Sequence, residues 1–448
     1  MINFVVENIE EGRNLIDNWV DNNAGSPRFT TAPIMNRMIL AKNENKDFRG
    51  FFNVKKYTDE LSLKNYIIPI GVNNDPHNWA GGELSEHKDY PSLFEFIPEY
   101  YLNDLKTNNA FLLIDSSLEG YHSDFIFKFF HYECEKYKIN PTQIIYVTGN
   151  SIVEDCYEEW LKDNPQKNKI LAVGYSHFEF DTHCFTQHLP EDNDKFPPTA
   201  EEQILYKTEN LDKIKLFCNL NKKPRAHRVF WYCLLYNNKM LEKGLVSMNK
   251  FDYHETSPSY SGRYFNTNKF KEIKQTLPST IHGKGNEEKS TDYYVKRFNV
   301  DVALDSWVAV ISEAQYEDDQ QTVFISEKIF KSIAQSQPFL ILGNKGSLTE
   351  LKKLGYKTFE GFIDESYDSK NEGDRFFSIL TSLKKIEKIE NKLEWYKSMK
   401  DILDHNKKLL SSNSVNKLPL PVKKIIKLVL RDEILHKKIE EKILKYVR

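Results

Sequence analysis

WVAVISEAQYEDDQQTVFISEKIFKSIAQSQPFLILGNKGSLTELKKLGYKTF, residues 307–359, carries the clearest fold signal in the chain. VAVIS is a short apolar run of the kind that forms a buried strand, and it ends at Ser312-Glu313. A polar loop follows. Ser326 is a good N-cap, and Glu327 places a carboxylate in the first turn, where it complements the helix dipole. Ile329, Phe330, Ile333 and Ala334 recur at helical spacing, which predicts a helix over 327–336. Pro338 then precedes a second apolar run, 339–342, closed by Gly343. Strand, helix and strand in this order predict a parallel pair. Its two strand ends present Glu313 and the start of the helix on one edge.

The same rhythm extends outward. Upstream lie a strand at 214–219, a helix at 227–243 and a strand at 245–248; downstream, a short strand is expected at 357–359. Residues 253–295 are rich in Ser, Thr, Tyr, Gly and Lys and read as an irregular insertion. In the first half, apolar runs at 66–72, 110–114, 143–147 and 169–173 read as buried strands, with helices at 123–137 and 152–163. Loops after such strands are where parallel sheets place function, here 71–79, 115–122 and 148–151. Residues 185–210 hold Pro190, Pro197 and Pro198 in an acidic stretch and read as a linker. Beyond about 375 the pattern is helical and charged. Its amphipathic basic end, 417–448, reads as a helix packed back on the domains, with a surface-seeking helix as the alternative. The expectation is an α/β chain of two Rossmann-like domains, 1–210 and 211–375, with a helical C-terminal extension at 376–448.

The 448 residues are 40% hydrophobic and 13% aromatic, ample for folded cores and unlike a disordered chain. A net charge of -3 disfavours nucleic acid as an obligate partner. The five cysteines form no CxxC pair, which argues against a disulfide framework or structural zinc site and fits a reducing cytosol. The N-terminus turns acidic too soon for a signal peptide. The densest apolar run, 229–236, is far shorter than the ~20 residues that cross a bilayer. A cytoplasmic protein without stable membrane insertion is expected.

Two stretches carry candidate chemistry. A helix start bearing Ser326 and Lys328 suits a diphosphate, and a carboxylate such as Glu313 or Glu327 suits the paired hydroxyls of a ribose. The plainer reading is capping with a Glu327–Lys331 pair on a solvated face. In NKKPRAHR, 221–228, a strand ending at Asn219 leads into a helix start crowded with Lys222, Lys223, Arg225 and Arg228. Cations oppose the helix dipole there, so a bound anion would explain them; a solvated basic turn is the alternative. A third stretch, 177–188, holds His177, Asp181, His183, Cys184 and His188. Alternation of Phe178 and Phe180 reads it as a strand rather than a metal site.

ISEA, FISEKIF and QPFLILG together resemble the donor-binding core of the alpha-1,3-fucosyltransferase family and its bacterial and viral relatives. There a strand ending in an acidic residue precedes a Thr-Glu-Lys helix start and a Pro-led strand ending in Gly; Ser326 here stands where Thr is usual. The resemblance covers about a hundred residues of the C-terminal half. It implies a GT-B glycosyltransferase, two Rossmann-like domains facing a cleft, with donor contacts at Glu327 and Lys328 and diphosphate contacts at Arg225 and Arg228. A nucleotide-sugar is then the donor substrate, no further cofactor is needed, and a glycan or other hydroxyl is the acceptor. Reaction by inversion needs a base. Glu119 is the first candidate, with Gly120 beside it leaving room for an acceptor, and Asp75 or His77 are the alternatives; each also reads as a turn or capping residue, as does Asp115. No metal is expected, since no DxD-type aspartate pair ends a strand in the C-terminal half; Asp318-Asp319, in an acidic loop, is the main feature that argues otherwise. A hydroxymethylated DNA base as acceptor, or a non-catalytic nucleotide- or carbohydrate-binding protein, are the competing functions.

Overall fold

The computed structural model describes residues 2–6, 29–30, 32–35, 52–58, 63–72, 79–81, 92–120, 124–187, 195–250, 267–277, 279, 298–316, 321–412 and 420–430. The chain forms two compact units. The first comprises residues 1–177, 321–324 and 413–448, and the second 178–320 and 325–412. The expected division at 210/211 and a separate extension from 376 do not coincide with these units.

The first unit holds a seven-stranded sheet. Its strands are β1 (Ile2–Val6), β2 (Phe29–Thr30), β3 (Phe52–Lys56), β4 (Tyr66–Val72), β5 (Ala110–Ser116), β6 (Ile144–Thr148) and β7 (Leu171–Gly174). They run in the order β3-β1-β4-β5-β6-β7, every neighbouring pair parallel, while β2 pairs antiparallel with the end of β4. The strands β4, β5 and β6 are buried along their whole length, as expected where both faces of a parallel sheet are covered. Helices Asp124–Tyr137 and Val153–Asp163 supply much of the cover, through Phe127, Phe129, Phe130, Tyr157 and Trp160. The strand order reverses direction between β1 and β4, the kind of switch point at which such sheets open a crevice. There β2 pairs with Gly71 and Val72 of β4.

The second unit repeats the plan on a smaller scale. Strands β8 (Lys215–Leu220), β9 (Gly244–Ser247), β10 (Ser306–Ser312) and β11 (Phe339–Leu342) run all parallel in the order β11-β10-β8-β9. From β8 the chain steps outward to β9, then returns across to β10, so the switch point lies between β8 and β10. Helix Ala226–Asn237 follows β8 and helix Glu327–Ala334 follows β10. The latter buries Ile329, Phe330, Ile333 and Ala334, each large side chain contributing about 1.5–3 kcal/mol. Helix Lys400–Ser412 packs on it, and helix Glu372–Glu387 packs on β11. In the first unit, helix Leu420–Leu430 lays Val422, Ile425, Ile426 and Val429 against β1 and β7, the packed-back arrangement expected for that part of the tail.

Several expectations are corrected. Strands β1, β2 and β3 all precede the first strand expected from the sequence, at 66–72. Residues 177–188 do not form a strand: His177–Gln187 is a helix, and His188 lies outside the described residues. The linker 185–210 contains helix Ala200–Glu209, started by a Thr199–Glu202 capping box. The helix after β8 stops at Asn237, and a separate short turn, Leu241–Lys243, precedes β9. Residues 357–359 are not a strand, because their backbone is held by side chains: the amide of Lys357 donates to Asn406 Oδ1 and that of Phe359 to Glu365 Oε1. Most of 253–295 lies outside the described residues, which include helix Thr267–Lys274. Among the described residues no helix is long and apolar enough to cross a membrane.

Candidate functional site

The carboxyl ends of β8 and β10 meet at the switch point of the second unit, and the residues singled out from the sequence gather there. Asn219 is the penultimate residue of β8 and is 1% exposed. Its Nδ2 donates to Val310 O at 2.6 Å and Ser312 Oγ at 3.0 Å, and its Oδ1 accepts from Asn221 at 2.6 Å. It clamps β8 to β10 from inside. Arg228 is equally committed. Its guanidinium donates to the carbonyls of Lys223 (3.3 Å), Ser312 (3.2 Å) and Glu313 (2.8 Å), and burial with the neighbouring Arg225 lowers its pKa to about 10. Arg228 therefore shapes the end of β10 rather than presenting itself to solvent.

Glu313 follows β10 and is fully buried. Its Oε1 accepts from the Ser326 amide at 3.1 Å and its Oε2 from the Ala314 amide at 3.0 Å. Burial pushes its pKa up, against the Lys328 charge and the Ser326 hydrogen bond. It fixes the residue that caps helix Glu327–Ala334. Ser326 Oγ accepts from the Lys328 amide, as the sequence predicts for an N-cap. The Lys328 ammonium donates to Ser326 Oγ at 3.1 Å and Glu327 Oε1 at 2.9 Å. Burial alone would raise the Glu327 pKa, but Lys328 and Lys331 outweigh it and hold it at about 2. Glu327 and Lys328 keep 15% and 29% of their side chains exposed, so both reach solvent.

Arg225 is exposed at the N-cap of helix Ala226–Asn237 and donates to the Ala314 carbonyl. Lys222 and Lys223 precede it in the same loop. His227 Nε2 contacts the Glu313 carbonyl at 3.0 Å, and because a carbonyl only accepts, that nitrogen carries the proton. Burial, then the charges of Arg228, Arg225 and Lys328, lower the His227 pKa to about 3. Cations from two helix starts thus converge on one imidazole. Sequence reasoning treated His227 as part of a helix start and missed its role; the signal was a histidine amid four cations. Lys331, half-buried beside Glu327, has its pKa lowered by desolvation to about 8, and the sequence shows it only as the partner of a helix pair.

In the first unit, the Glu119 backbone closes the loop after β5. Its carbonyl accepts from the Gly149 amide at 2.9 Å and from Thr148 Oγ1 at 3.2 Å. Asp115 is inside β5 and fully buried, accepting from the Ile34 amide at 2.6 Å and the Ser117 amide at 3.0 Å. It caps no helix. Gly120 does not leave room for an acceptor: a methyl group there would fall inside the van der Waals envelope of the Phe324 ring. Gly149 lies against the same ring, its added Cβ 2.5 Å from Phe324 Cε2. The segment 321–324 occupies this edge, with the Val323 amide donating to Asn150 Oδ1 and the Ser151 amide to Val323 O, both at 2.9 Å. Asp75, His77 and the Asp318-Asp319 pair lie outside the described residues.

No protein-family model, characterised protein or solved structure matches the chain. Among the described residues no group of three or more His, Cys, Asp or Glu side chains is arranged to hold a metal ion. The chemistry open to the β8–β10 switch point follows from its groups alone. Exposed Arg225, partly exposed Lys328 and the N-terminal amides of two helices favour an anion. Glu327 beside them offers a carboxylate held ionised for hydroxyl groups.

Proposed function

We propose that the chain is a glycosyltransferase that binds a nucleotide-sugar at the β8–β10 switch point of the second unit. The observation that carries this reading is the convergence of Arg225 and Lys328, from two helix starts, around the buried Glu313–His227 pair. Arg grips phosphate bidentately, and Lys supplies a compact charge. Lys328 is paired with Glu327 at 2.9 Å. A diphosphate would take over the lysine and leave the Glu327 carboxylate to accept from the ribose hydroxyls. Arg228, Asn219 and Glu313 build the site without touching the ligand. On transfer the same cations neutralise the departing nucleoside diphosphate, so no metal is needed. The acceptor is a hydroxyl of a glycan, deprotonated by a carboxylate as the sugar carbon inverts, and Glu119 is the residue proposed as that base.

A thermal-shift series over UDP, GDP, CMP and dTDP tests the binding step, since a ligand of the native state raises its melting temperature by mass action. At least one diphosphate should stabilise the protein in the millimolar range or below. No shift with any of the four would remove the basis for a nucleotide-sugar donor.

A further inference from the structure

Three side chains from separate elements stack behind the loop 313–316 of the second unit. His227 lies in the first turn of helix Ala226–Asn237, Tyr316 in the loop after β10, and Arg375 in the first turns of helix Glu372–Glu387. The His227 and Tyr316 rings are stacked at 5.5 Å with an interplanar angle of 14°. The Arg375 guanidinium lies 4.9 Å from the Tyr316 ring centroid, and Phe376 closes on that ring at 4.5 Å. Tyr316 Oη donates to the Glu372 carbonyl at 2.7 Å.

Arg375 is fully buried, and its two terminal nitrogens reach backbone carbonyls: Nη1 to Gly343 O at 2.7 Å and Nη2 to Lys370 O at 2.9 Å. Burying a guanidinium is costly, and an apolar side chain of similar size would fill the space at less cost. What an apolar residue lacks is the planar face and the donor fork. Both are used here, the fork on the carbonyl just past β11, the face on Tyr316. The contact then passes through His227, whose Nε2–H donates to Glu313 O. Gly343 adds a steric limit, since a Cβ on it would come within 3.1 Å of Glu313 Cβ and Cγ.

We propose that Arg375 is a positioning residue for the nucleotide site, acting through Tyr316 and His227 to fix the loop 313–316. That loop carries the Glu313 carboxylate, which orders Ser326, and the Ala314 carbonyl, which orients Arg225. The inference rests on the nucleotide reading above, so its test has an arm that needs no nucleotide.

Histidine-labelled protein, followed by NMR without ligand, should show wild-type His227 neutral and silent between pH 5 and 8. In Arg375→Lys, which keeps the charge and loses the planar face, His227 should begin to titrate in that window. Arg375→Met should do the same, with Tyr316→Leu standing in if that variant fails to fold. Tyr316→Phe, which keeps the ring, should resemble wild type. Calorimetry with UDP and GDP should show affinity weakened about tenfold or more in Arg375→Lys and Tyr316→Leu. A silent His227 in folded Arg375→Lys and Tyr316→Leu overturns the proposal. So does a titrating His227 with unchanged nucleotide affinity. If wild type binds none of UDP, GDP, CMP and dTDP, the donor-site reading fails, and the histidine arm alone decides whether the stack sets the loop.

Discussion

Gly120→Ala is expected to weaken the first unit locally, and Phe324→Ala is expected to cancel the effect. A methyl on Gly120 would overlap Cβ, Cγ and Cδ2 of Phe324, which is 3% exposed. The ring cannot withdraw freely, because its segment is pinned. Val323 N–H donates to Asn150 Oδ1 and Ser151 N–H to Val323 O, both at 2.9 Å, and Asn150 Nδ2 donates to Gln321 O at 2.6 Å. Overpacking of this kind costs about 1–3 kcal/mol, and each strained hydrogen bond adds up to roughly 1 kcal/mol. Gly120→Ala should therefore cost about 2–3 kcal/mol. Phe324→Ala alone should cost about 3 kcal/mol, the low end for a buried phenylalanine. In the double variant the methyl enters vacated space, so the total should stay near 3 kcal/mol, a coupling of about 2 kcal/mol. Two units make global unfolding an unsafe readout. Hydrogen exchange at the Ser151 and Val323 amides reports local opening instead. Additive losses in the double variant would refute the packing argument.

The remaining predictions concern pH, metal and catalysis. The His227 pKa falls from 6.5 to about 3 on folding. Its contribution to stability is therefore complete above pH 6.5 and is lost as pH falls toward 3, by up to roughly 5 kcal/mol. Glu313, raised by burial, acts in the opposite sense and offsets part of that loss. Opening free energies read by hydrogen exchange in helix Ala226–Asn237 from pH 7 to 4.5 should fall less steeply in His227→Gln than in wild type, and equal slopes would contradict the assignment. Sugar transfer should survive EDTA; abolition by EDTA with rescue by manganese or magnesium would show that the cations are insufficient. Glu119→Gln should lower turnover roughly 10²–10⁴-fold at unchanged nucleotide affinity and melting temperature. Near-normal turnover would move the base to Asp75 or His77.

The sheet strands at 66–72 and 339–342 were legible because an unbroken apolar run of four to seven residues between turn residues fits a strand covered on both faces. Strand β3 was not, since FNVKK lacks such a run and sits at the sheet edge. Helix His177–Gln187 was misread because Phe178 and Phe180 match a period of two, whereas the buried pair Phe180 and His183 follows the helical spacing. His183 Nδ1 is spent on the Leu410 carbonyl at 3.0 Å, a partner far away in sequence. At the site, Ser326 and Glu327 announce themselves through capping chemistry. The committed roles of Asn219 and Arg228 depend on which carbonyls the fold brings within reach, and sequence spacing does not carry that. The stack of Arg375, Tyr316 and His227 joins three elements and leaves no local pattern.

The proposed function stands or falls with a nucleoside diphosphate bound at the β8–β10 switch point of the second unit. Titration calorimetry of UDP and GDP against wild type, Arg225→Ala, Lys328→Ala and Glu327→Ala tests it most directly. The account predicts saturable binding of at least one nucleotide to wild type, weakened by about 1–3 kcal/mol in each variant as a charge-assisted contact is lost. Wild-type binding that all three variants retain undiminished would contradict it.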